Sequence, residues 1–244
     1  MVNQPTIWLS RPREDSAAFA NELAAHGLAT IIAPVLHIVR QPVPAPAIHN
    51  PAALLITSRH ATHALASLPP TWRSLPAYCV GNATAQSAAE HGLTHIIPGT
   101  RNVLTLLPHI VSDIASGSNL LYLAGDETRT DVVSLLSHHD IHVTTSIVYR
   151  AIAERVLSDE IRNALSDGIV TACAFFSPRS AEIACKLMKQ NNLVNAASHI
   201  NAYCLSSNVA KAARSLPWAH VFTCNPPTRH ALRELIVSRE RKTG

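Results

Sequence analysis

An internal repeat constrains the fold of this chain more than any other feature of its sequence. Residues 53–58 and 173–178 are short apolar runs that end in Thr-Ser and Ser-Pro. Each is followed by an alanine-rich amphipathic stretch, at 61–68 and 181–188, and then by an Ala-Tyr-Cys run, at 77–79 and 202–204, that leads through a polar turn into another alanine-rich segment. The two copies predict the same series of alternating strands and helices twice.

A second unit also recurs. Residues 7–10 lead through a charged turn at 11–14 into a helix and a strand, and residues 121–124 lead in the same way through 125–127. Strands that alternate with helices of about 10–15 residues are typical of βαβ units and parallel sheets. The segments therefore have the order a (1–35), b, a′ and b′ (155–244), where b contains the apolar run 53–58 and a′ contains residues 121–127. The pattern leaves two pairings open: a with b′ and b with a′, or the simpler pairing of a with b.

Two stretches of extended character connect these segments. Residues 36–51 contain prolines at 42, 44, 46 and 51, and proline favours extended chain over helix. Residues 147–152 have the strand-like sequence Ile-Val-Tyr-Arg-Ala-Ile. We predict linkers at 36–51 and 147–154.

The composition is that of a folded chain with two domains. Of the 244 residues 47% are hydrophobic and 15% are charged, which excludes a disordered or coiled-coil chain. The net charge of +4 and the pI near 9.0 favour an acidic partner. Because the basic residues are spread out, we expect no nucleic acid partner. No apolar run approaches the roughly 20 residues that span a bilayer, and no signal peptide pattern is present, so we expect a cytoplasmic protein without a membrane partner.

Seven turns are rich in hydroxyl or amide residues, and several carry arginine. We expect two α/β lobes that face each other across a cleft, with the matching turns 57–59 and 177–180 directed into it. Backbone N–H groups at helix N-termini bind carboxylates and phosphates, although Ser, Thr, Asp and Asn are also ordinary helix caps. Capping needs no cation, so the arginines favour a ligand with many negative groups. The turns are 10–13, 57–59, 81–84, 125–126, 177–180, 206–208 and 226–228, and the arginines are Arg11, Arg13, Arg59, Arg129 and Arg179.

Other chemistries have little support in the sequence. It contains no G-x-G-x-x-G after a strand, no Walker A motif, no G-x-S-x-G and no C-x-x-C pair. We expect the five cysteines to be small buried residues and the paired histidines, His60, His63, His138 and His139, to lie on the surface, with no metal bound. No base accompanies Thr57, Ser58, Ser177 or Ser206, so a nucleophilic serine is not indicated. Asp126, Glu127 and Asp131 are predicted to form the acidic first turn of a helix.

Tyr149 lies on the second predicted linker, next to Arg150. A half-packed strand tyrosine is one interpretation of it. A phenol that donates a proton or hydrogen bond to a leaving hydroxyl group is the other.

A set of short motifs, in this order and spacing, resembles the uroporphyrinogen-III synthase family from residue 7 to about residue 236. The resemblance implies two flavodoxin-like lobes with parallel sheets, joined by a two-stranded linker ladder, and it implies the pairing of a with b′. Lobe one would comprise residues 1–35 and 155–244, and lobe two residues 52–146. The motifs are Ser-Arg-Pro-Arg at 10–13, Ala-Pro-Val-Leu at 33–36, Leu-Ile-Thr-Ser at 55–58, Val-Gly-Asn-Ala-Thr-Ala at 80–85, Val-Tyr-Arg-Ala at 148–151, Phe-Phe-Ser-Pro at 175–178 and Pro-Pro-Thr at 226–228.

The resemblance implies cyclisation of hydroxymethylbilane to uroporphyrinogen III, with inversion of ring D and loss of water, by a lyase without cofactor or metal. It places Tyr149 at the family's tyrosine that is proposed to assist departure of the hydroxyl group. Two positions depart from the family pattern: Arg59 follows Ser58 without the usual proline, and 206–209 reads Ser-Ser-Asn-Val in place of Gly-Pro-Thr-Thr. The substrate-binding residues predicted with it are Arg11, Arg13, Thr57, Ser58, Gly81, Thr84, Gly125, Ser177, Ser180, Ser207 and Thr228.

Two alternatives remain open at this point. One is a non-catalytic, two-lobed module that binds or senses a polycarboxylate; the other is a flavin-binding, flavodoxin-like protein, against which the aromatic content of 5% argues mildly. We expect a monomer whose partners are a linear tetrapyrrole substrate and, transiently, hydroxymethylbilane synthase.

Overall fold

The computed structural model describes residues 4–42, 50–100, 102–127 and 130–241. The chain forms two compact units, one of Met1–His37 with Ile152–Gly244 and one of Ile38–Ala151. We call them unit 1 and unit 2. The predicted lobe and linker boundaries, and the facing of two lobes across a cleft, stay predictions.

Unit 1 is an alternation of strands and helices. Its elements are β1 (Thr6–Leu9), α1 (Arg13–Ala24), β2 (Ala29–Ile32), α5 (Asp159–Ser166), β9 (Val170–Phe175), α6 (Pro178–Gln190), α7 (Val194–Ala197), β10 (Asn201–Cys204), α8 (Ser207–Ala213), β11 (His220–Thr223) and α9 (Arg229–Glu240).

Unit 2 contains 3-10 helices as well as strands and α-helices. The 3-10 helices are Arg59–Ser67, Pro70–Ser74 and Val103–Thr105; the other elements are β3 (Leu36–Arg40), β4 (Ala53–Ile56), β5 (Ala77–Val80), α2 (Asn82–Glu90), β6 (Ile96–Gly99), α3 (Leu107–Asp113), β7 (Asn119–Gly125), α4 (Val132–Ser137) and β8 (His142–Ala153). β3 and β8 extend across the boundaries between the two units.

The two sheets share one spatial arrangement with different chain orders. In unit 1 the order is β2-β1-β9-β10-β11, which is the flavodoxin order 2-1-3-4-5. In unit 2 the strands beyond β3 follow β8-β7-β4-β5-β6. This is the same order if β7 counts as the first strand, so unit 2 is a circular permutation of unit 1. The prediction of two flavodoxin-like α/β lobes with parallel sheets is confirmed.

The strand pairing decides between the two arrangements that the repeat left open. β1 pairs in parallel with β9, and β4 pairs in parallel with β7. Segment a therefore combines with b′, and b combines with a′. The pairing is non-local, because β1 and β9 are separated by more than 150 residues of chain.

The described parts of the two predicted linkers are hydrogen-bonded to each other. Gln41 N–H donates to Val148 O, and Glu154 N–H donates to Val35 O, so β3 runs antiparallel to β8. The predicted two-stranded ladder is thus confirmed over this stretch. Residues 43–49, including the prolines at 44 and 46, lie outside the described residues.

Each sheet is packed between two buried apolar clusters, one on each face, as expected for parallel sheets covered by helices. Helix α6 shows why a segment folds as it does: Ser177 caps it, Pro178 occupies the first turn, and Ala181, Ala184 and Met188 form a buried stripe at helical spacing. The five cysteines are free and buried, which confirms the sequence-based expectation.

Two local predictions need correction. The amphipathic stretch from residue 61 is helical, but it forms the 3-10 helix Arg59–Ser67 and not an α-helix; in it Thr62 Oγ1 donates to the carbonyl oxygen of Arg59 at 2.7 Å. Such side-chain bonds to carbonyls three residues back compete with α-helical bonds. The acidic first turn was also misplaced, because α4 begins at Val132 and Asp131 caps it from outside, while Asp126 and Glu127 precede the helix.

Candidate functional site

A pocket of about 330 Å³ lies in unit 2 at the carboxyl ends of its central strands. Thr57 and Ser58 follow β4, Tyr122 and Gly125 belong to β7, and Tyr149 belongs to β8; all five line the pocket. Ligands of open α/β sheets bind beyond the carboxyl ends of the strands, where the strand order reverses. In unit 2 that reversal falls at the neighbouring strands β4 and β7, so the fold and the pocket indicate the same site.

Two phenol groups in this pocket are each hydrogen-bonded to a hydroxyl group. Tyr122 Oη and Thr57 Oγ1 lie 2.9 Å apart. The phenol of Tyr149 is hydrogen-bonded to the side chain of Ser58. Thr57 and Ser58 are consecutive, so two neighbouring residues after β4 form hydrogen bonds with phenols from two different strands, β7 and β8.

Both phenols stay protonated well into the alkaline range. Burial raises the pKa of Tyr149, and this effect outweighs the hydrogen bond from Ser58, which lowers the pKa; the negative charges that Tyr122 and Asp126 can carry raise it slightly further. Burial likewise raises the pKa of Tyr122, which is 5% exposed, and the bond to Thr57 opposes this. Each is therefore a neutral hydrogen-bond donor at physiological pH.

The ring of Tyr149 lies directly against the backbone of Gly125. A Cβ atom at residue 125 would lie 2.5 Å from Cζ and 2.7 Å from the phenol oxygen of Tyr149, closer than real Cβ contacts. Only glycine leaves room for the ring in this position. The ring of His60 lies on Tyr149 as well, with 5.8 Å between the ring centroids.

Unit 1 places an arginine at the equivalent end of its own sheet. Arg11 follows β1, and its guanidinium lies 2.8 Å from a carboxylate oxygen of Asp15 and 4.7 Å from the ring centroid of Phe176, the residue after β9. Burial lowers the pKa of Arg11 to about 10, and the positive charge of Arg229 contributes. Arg11 remains a cation at neutral pH.

The hydroxyl turns of unit 1 cap its helices. Ser177 Oγ accepts from the amide of Ser180 at 3.1 Å and lies 2.9 Å from Ser180 Oγ. Ser180 is 3% exposed, so its hydroxyl faces the protein interior. Thr228 caps α9, and Ser207 is the first residue of α8, which Ser206 caps. In these turns the capping interpretation is confirmed for Ser177, Ser206 and Thr228.

The remaining predicted binding residues are not among the residues that line this pocket. Gly81 caps α2 with a φ of +80°, a conformation that favours glycine, and Thr84 in the same helix is 5% exposed. Arg13 begins α1 and donates from Nη2 to the carbonyl oxygen of Ile32. Arg129 lies outside the described residues. The structure thus brings Thr57, Ser58, Gly125 and Tyr149 together in the pocket of unit 2, and in unit 1 it brings Ser177 and Ser180 together at the start of α6.

Tyr122 and the surroundings of two histidines were not predicted from the sequence. Tyr122 was overlooked because it lies within an apolar strand sequence; its position one residue before Leu123-Ala124-Gly125, at the carboxyl end of β7, is the signal that would have found it. The histidines were only partly predicted: His138 and His139 are exposed, whereas His60 contacts Tyr149 and the Nε2 atom of His63 is buried.

Within the described ranges, no cluster of three His, Cys, Asp or Glu residues could hold a metal ion. None of the described helices combines the length and apolar character needed to cross a membrane.

Fold and site define a class: a protein of two flavodoxin-like units, one a circular permutation of the other, with a hydroxyl-lined pocket at a strand-order reversal. A family model described as uroporphyrinogen-III synthase HemD matches residues 17–234. This match covers most of the sequence, and the chain belongs to the uroporphyrinogen-III synthase family.

Individual relatives agree with this assignment. A protein of Chlorobaculum parvum named uroporphyrinogen-III synthase is 23% identical over 190 residues, which cover 72% of this chain and 76% of that protein. The crystal structure of uroporphyrinogen-III synthetase from Helicobacter pylori has a TM-score of 0.64 at 17% identity, covering 96% of this chain and 99% of the other. A mutant uroporphyrinogen III synthase from Thermus thermophilus has a TM-score of 0.57 at 16% identity, covering 98% and 100%. At these identities the two solved structures support the fold alone.

Proposed function

We propose that this protein catalyses the cyclisation of hydroxymethylbilane to uroporphyrinogen III, with inversion of ring D and loss of water, as a carbon–oxygen lyase of tetrapyrrole biosynthesis. Its membership of the uroporphyrinogen-III synthase family is the observation that carries the proposal. The pocket with two neutral phenols supports it, because the reaction begins with the departure of a hydroxyl group.

In the proposed reaction the Tyr149 phenol donates a proton or hydrogen bond to the leaving hydroxyl group. A pocket that raises the pKa of the phenol keeps the donor protonated, as a general acid requires. The pyrrole nitrogens supply the electrons that expel water and give an azafulvene. The substituted carbon of ring D then attacks this electrophile, and the resulting spiro intermediate fragments and recloses with ring D inverted.

The protein's remaining work is to hold a flexible chain in the curled geometry that leads to the spiro intermediate. Such positioning lowers a barrier by several kcal/mol when it is well arranged. Thr57, Ser58 and Tyr122 offer hydroxyl groups for this within the pocket. No cofactor takes part in the proposed chemistry.

We also propose that the turns outside the pocket bind some of the eight carboxylates of the substrate. Arg11 keeps its charge at neutral pH, and the net charge of the chain is +4, so both favour a polyanion. Replacing Arg11 with Gln is expected to raise KM without lowering kcat. An unchanged KM excludes Arg11 from binding. The other proposed groups outside the pocket lining are Arg13, Gly81, Thr84, Ser177, Ser180, Ser207 and Thr228, and Gly125 is proposed to bind substrate within the pocket.

The isomer composition of the product tests the proposed activity directly. The purified protein, supplied with hydroxymethylbilane generated in situ, is expected to give mostly the type III isomer, separated by chromatography after oxidation to porphyrins. The uncatalysed reaction gives type I. Exclusive formation of type I contradicts the proposal, and tight binding of the tetrapyrrole without turnover supports the non-catalytic module instead. A yellow purified protein would support the flavin-binding alternative.

Replacing Tyr149 with Phe removes the proton donor and leaves the ring. We expect kcat to fall by about a hundredfold, the lower end for loss of a general acid, while binding of the product changes little. Tyr78→Phe is the matched control, because Tyr78 is a buried tyrosine of the same unit that donates to Asp113, and it does not line the pocket. Wild-type turnover in Tyr149→Phe removes Tyr149 from the mechanism.

We further propose that the protein acts as a cytoplasmic monomer and receives its substrate through a transient contact with hydroxymethylbilane synthase. Light scattering of the purified protein tests the monomer, and cell fractionation tests the location. Faster product formation with the physically mixed enzymes than with substrate released from separate reactions is the result expected of a contact. Equal rates contradict it.

A further inference from the structure

The pairing of β8 with β7 shifts register directly before Tyr149. Along most of β7 and β8 the residues pair in parallel register, up to Ala124 with Ile147. The next pair is Gly125 with Tyr149, so Val148 is an extra residue on β8. A bulge of this kind re-aims the side chains that follow it and is common beside active sites. Val148 is fully buried in the core of unit 2, while Tyr149 lines the pocket.

Asp126 makes two hydrogen bonds to β8 immediately after Tyr149, on its C-terminal side. Its backbone N–H donates to the carbonyl oxygen of Tyr149 at 3.1 Å. Its carboxylate oxygen Oδ1 accepts from the backbone N–H of Ala151 at 3.2 Å. The two bonds flank Arg150 and so hold the strand directly after Tyr149, while Gly125, immediately before Asp126, leaves the space that the ring occupies.

We propose that Asp126 is a positioning residue for Tyr149: by accepting from Ala151 it fixes the bulged end of β8, so that the phenol is held in the pocket at the place where the leaving hydroxyl group is protonated. This rests on the proposed function. The sequence predicts Asp126 in the first turn of a helix, but in the structure it precedes α4 and accepts a hydrogen bond from β8.

The acceptor atom, and not the charge, is the main contribution of Asp126. Its carboxylate is exposed, and among the causes that raise the pKa of Tyr149 its charge ranks behind burial and Tyr122. The other titratable groups around the phenol are His60, which packs on its ring, and Glu127, which lines the pocket. An uncharged acceptor in place of Asp126 should therefore preserve most of the effect.

Three substitutions separate these contributions. Asp126→Ala removes the acceptor and is expected to lower kcat about tenfold with little change in KM, since small misplacements of a catalytic group are costly. Asp126→Asn keeps an oxygen acceptor and is expected to retain most of the wild-type kcat. Asp131→Ala is the matched control: it removes a similar bond, from Ser134 N–H to Asp131 Oδ1 at 3.0 Å, in the same loop without touching β8. It should lower stability and leave kcat unchanged.

A double-mutant cycle shows whether Asp126 acts through Tyr149. In the Tyr149→Phe background Asp126→Ala should have almost no further effect on kcat, because the phenol it positions is absent. A tenfold loss in both backgrounds, wild-type kcat in Asp126→Ala, or an equal loss in Asp126→Asn overturns the proposal.

A spectroscopic measurement distinguishes failure of this proposal from failure of the proposed function. In protein labelled with tyrosine at ¹³Cζ, the resonance missing from Tyr149→Phe identifies Tyr149. Its shift should change in Asp126→Ala and stay near the wild-type value in Asp126→Asn, whether or not the protein makes the type III isomer. An unchanged resonance in Asp126→Ala overturns the positioning role by itself.

Discussion

At the scale of single residues, the shape of the pocket depends on a glycine, because a side chain at residue 125 would occupy the space of the Tyr149 ring. Gly125 lies in the last position of β7, where its neighbour across the sheet is Tyr149. Glycine inside a strand is normally a weak choice, because it loses entropy and packs nothing. Here it allows a ring to lie flat on the backbone, which explains why a glycine ends an otherwise apolar strand.

Replacing Gly125 with Ala should therefore force the Tyr149 ring out of place. We expect a loss of about 1–3 kcal/mol in the free energy of unfolding, as for other overpacked sites, together with a lower kcat. In the Tyr149→Ala background the same change should cost nothing or stabilise the strand, because the space is then empty. Urea unfolding of the four proteins measures this coupling, and additive effects would contradict the contact.

The sequence predicts a functional residue only where the residue type and its local sequence are enough to single it out. Tyr149 was singled out in the sequence because it lies on a predicted linker and because the family resemblance places it at the position of a proposed catalytic tyrosine. Tyr122 was not, because its partner Thr57 is 65 positions away and only the pairing of β4 with β7 brings them together.

At the scale of elements, helix caps and ligand-binding turns use the same residues. The Ser177 side chain caps α6, a helix of 13 residues. Ser207 is also a hydroxyl at a helix start, yet the cap of α8 is Ser206. Sequence cannot separate the two tasks, because an N-cap hydroxyl and an anion-binding hydroxyl occupy the same place beside free N–H groups.

Substitutions at Ser177 separate capping from substrate binding. Ser177→Ala should lower the free energy of unfolding by about 1 kcal/mol, whereas Ser207→Ala should change it by less than about 0.5 kcal/mol. Ser177→Asp keeps the cap and adds a negative charge, so stability is retained while KM for a polycarboxylate rises. Thermal unfolding and steady-state kinetics of the same samples provide both quantities. An unchanged KM in Ser177→Asp would leave Ser177 with the cap alone.

At the scale of the whole molecule, buried groups that resist ionisation determine the response to alkali. Burial raises the pKa of the thiols of Cys79 and Cys204 to about 12. It also raises the pKa of Tyr122 and of Tyr149 above the usual value near 10. The native protein keeps these protons where the unfolded chain has released them.

These groups should therefore leave the free energy of unfolding unchanged from pH 7 to about pH 8.5 and lower it as the pH rises further. Each such group contributes a slope of about 1.4 kcal/mol per pH unit between its unfolded and its folded pKa. Urea unfolding under reducing conditions at pH 7, 9 and 10.5 measures the effect. Cys79→Ala is expected to be less stable at pH 7 and to lose less stability on going to pH 10.5. A free energy of unfolding that is independent of pH over this range would contradict the prediction.

The repeat, the hydrophobic runs and the strand–helix alternation are local properties, so the sequence by itself determined the α/β class, the duplicated unit, the parallel sheets and the turns at the strand ends. Pairing of a with b′ was decided by tertiary structure, because βαβ geometry is satisfied equally well by either partner and only long-range strand contacts distinguish them. The same holds for Tyr122 beside Thr57, for the bulge at Val148 and for Asp126 bound to Ala151. Each of these depends on register between strands that are distant in the chain, and register is a property of the assembled sheet.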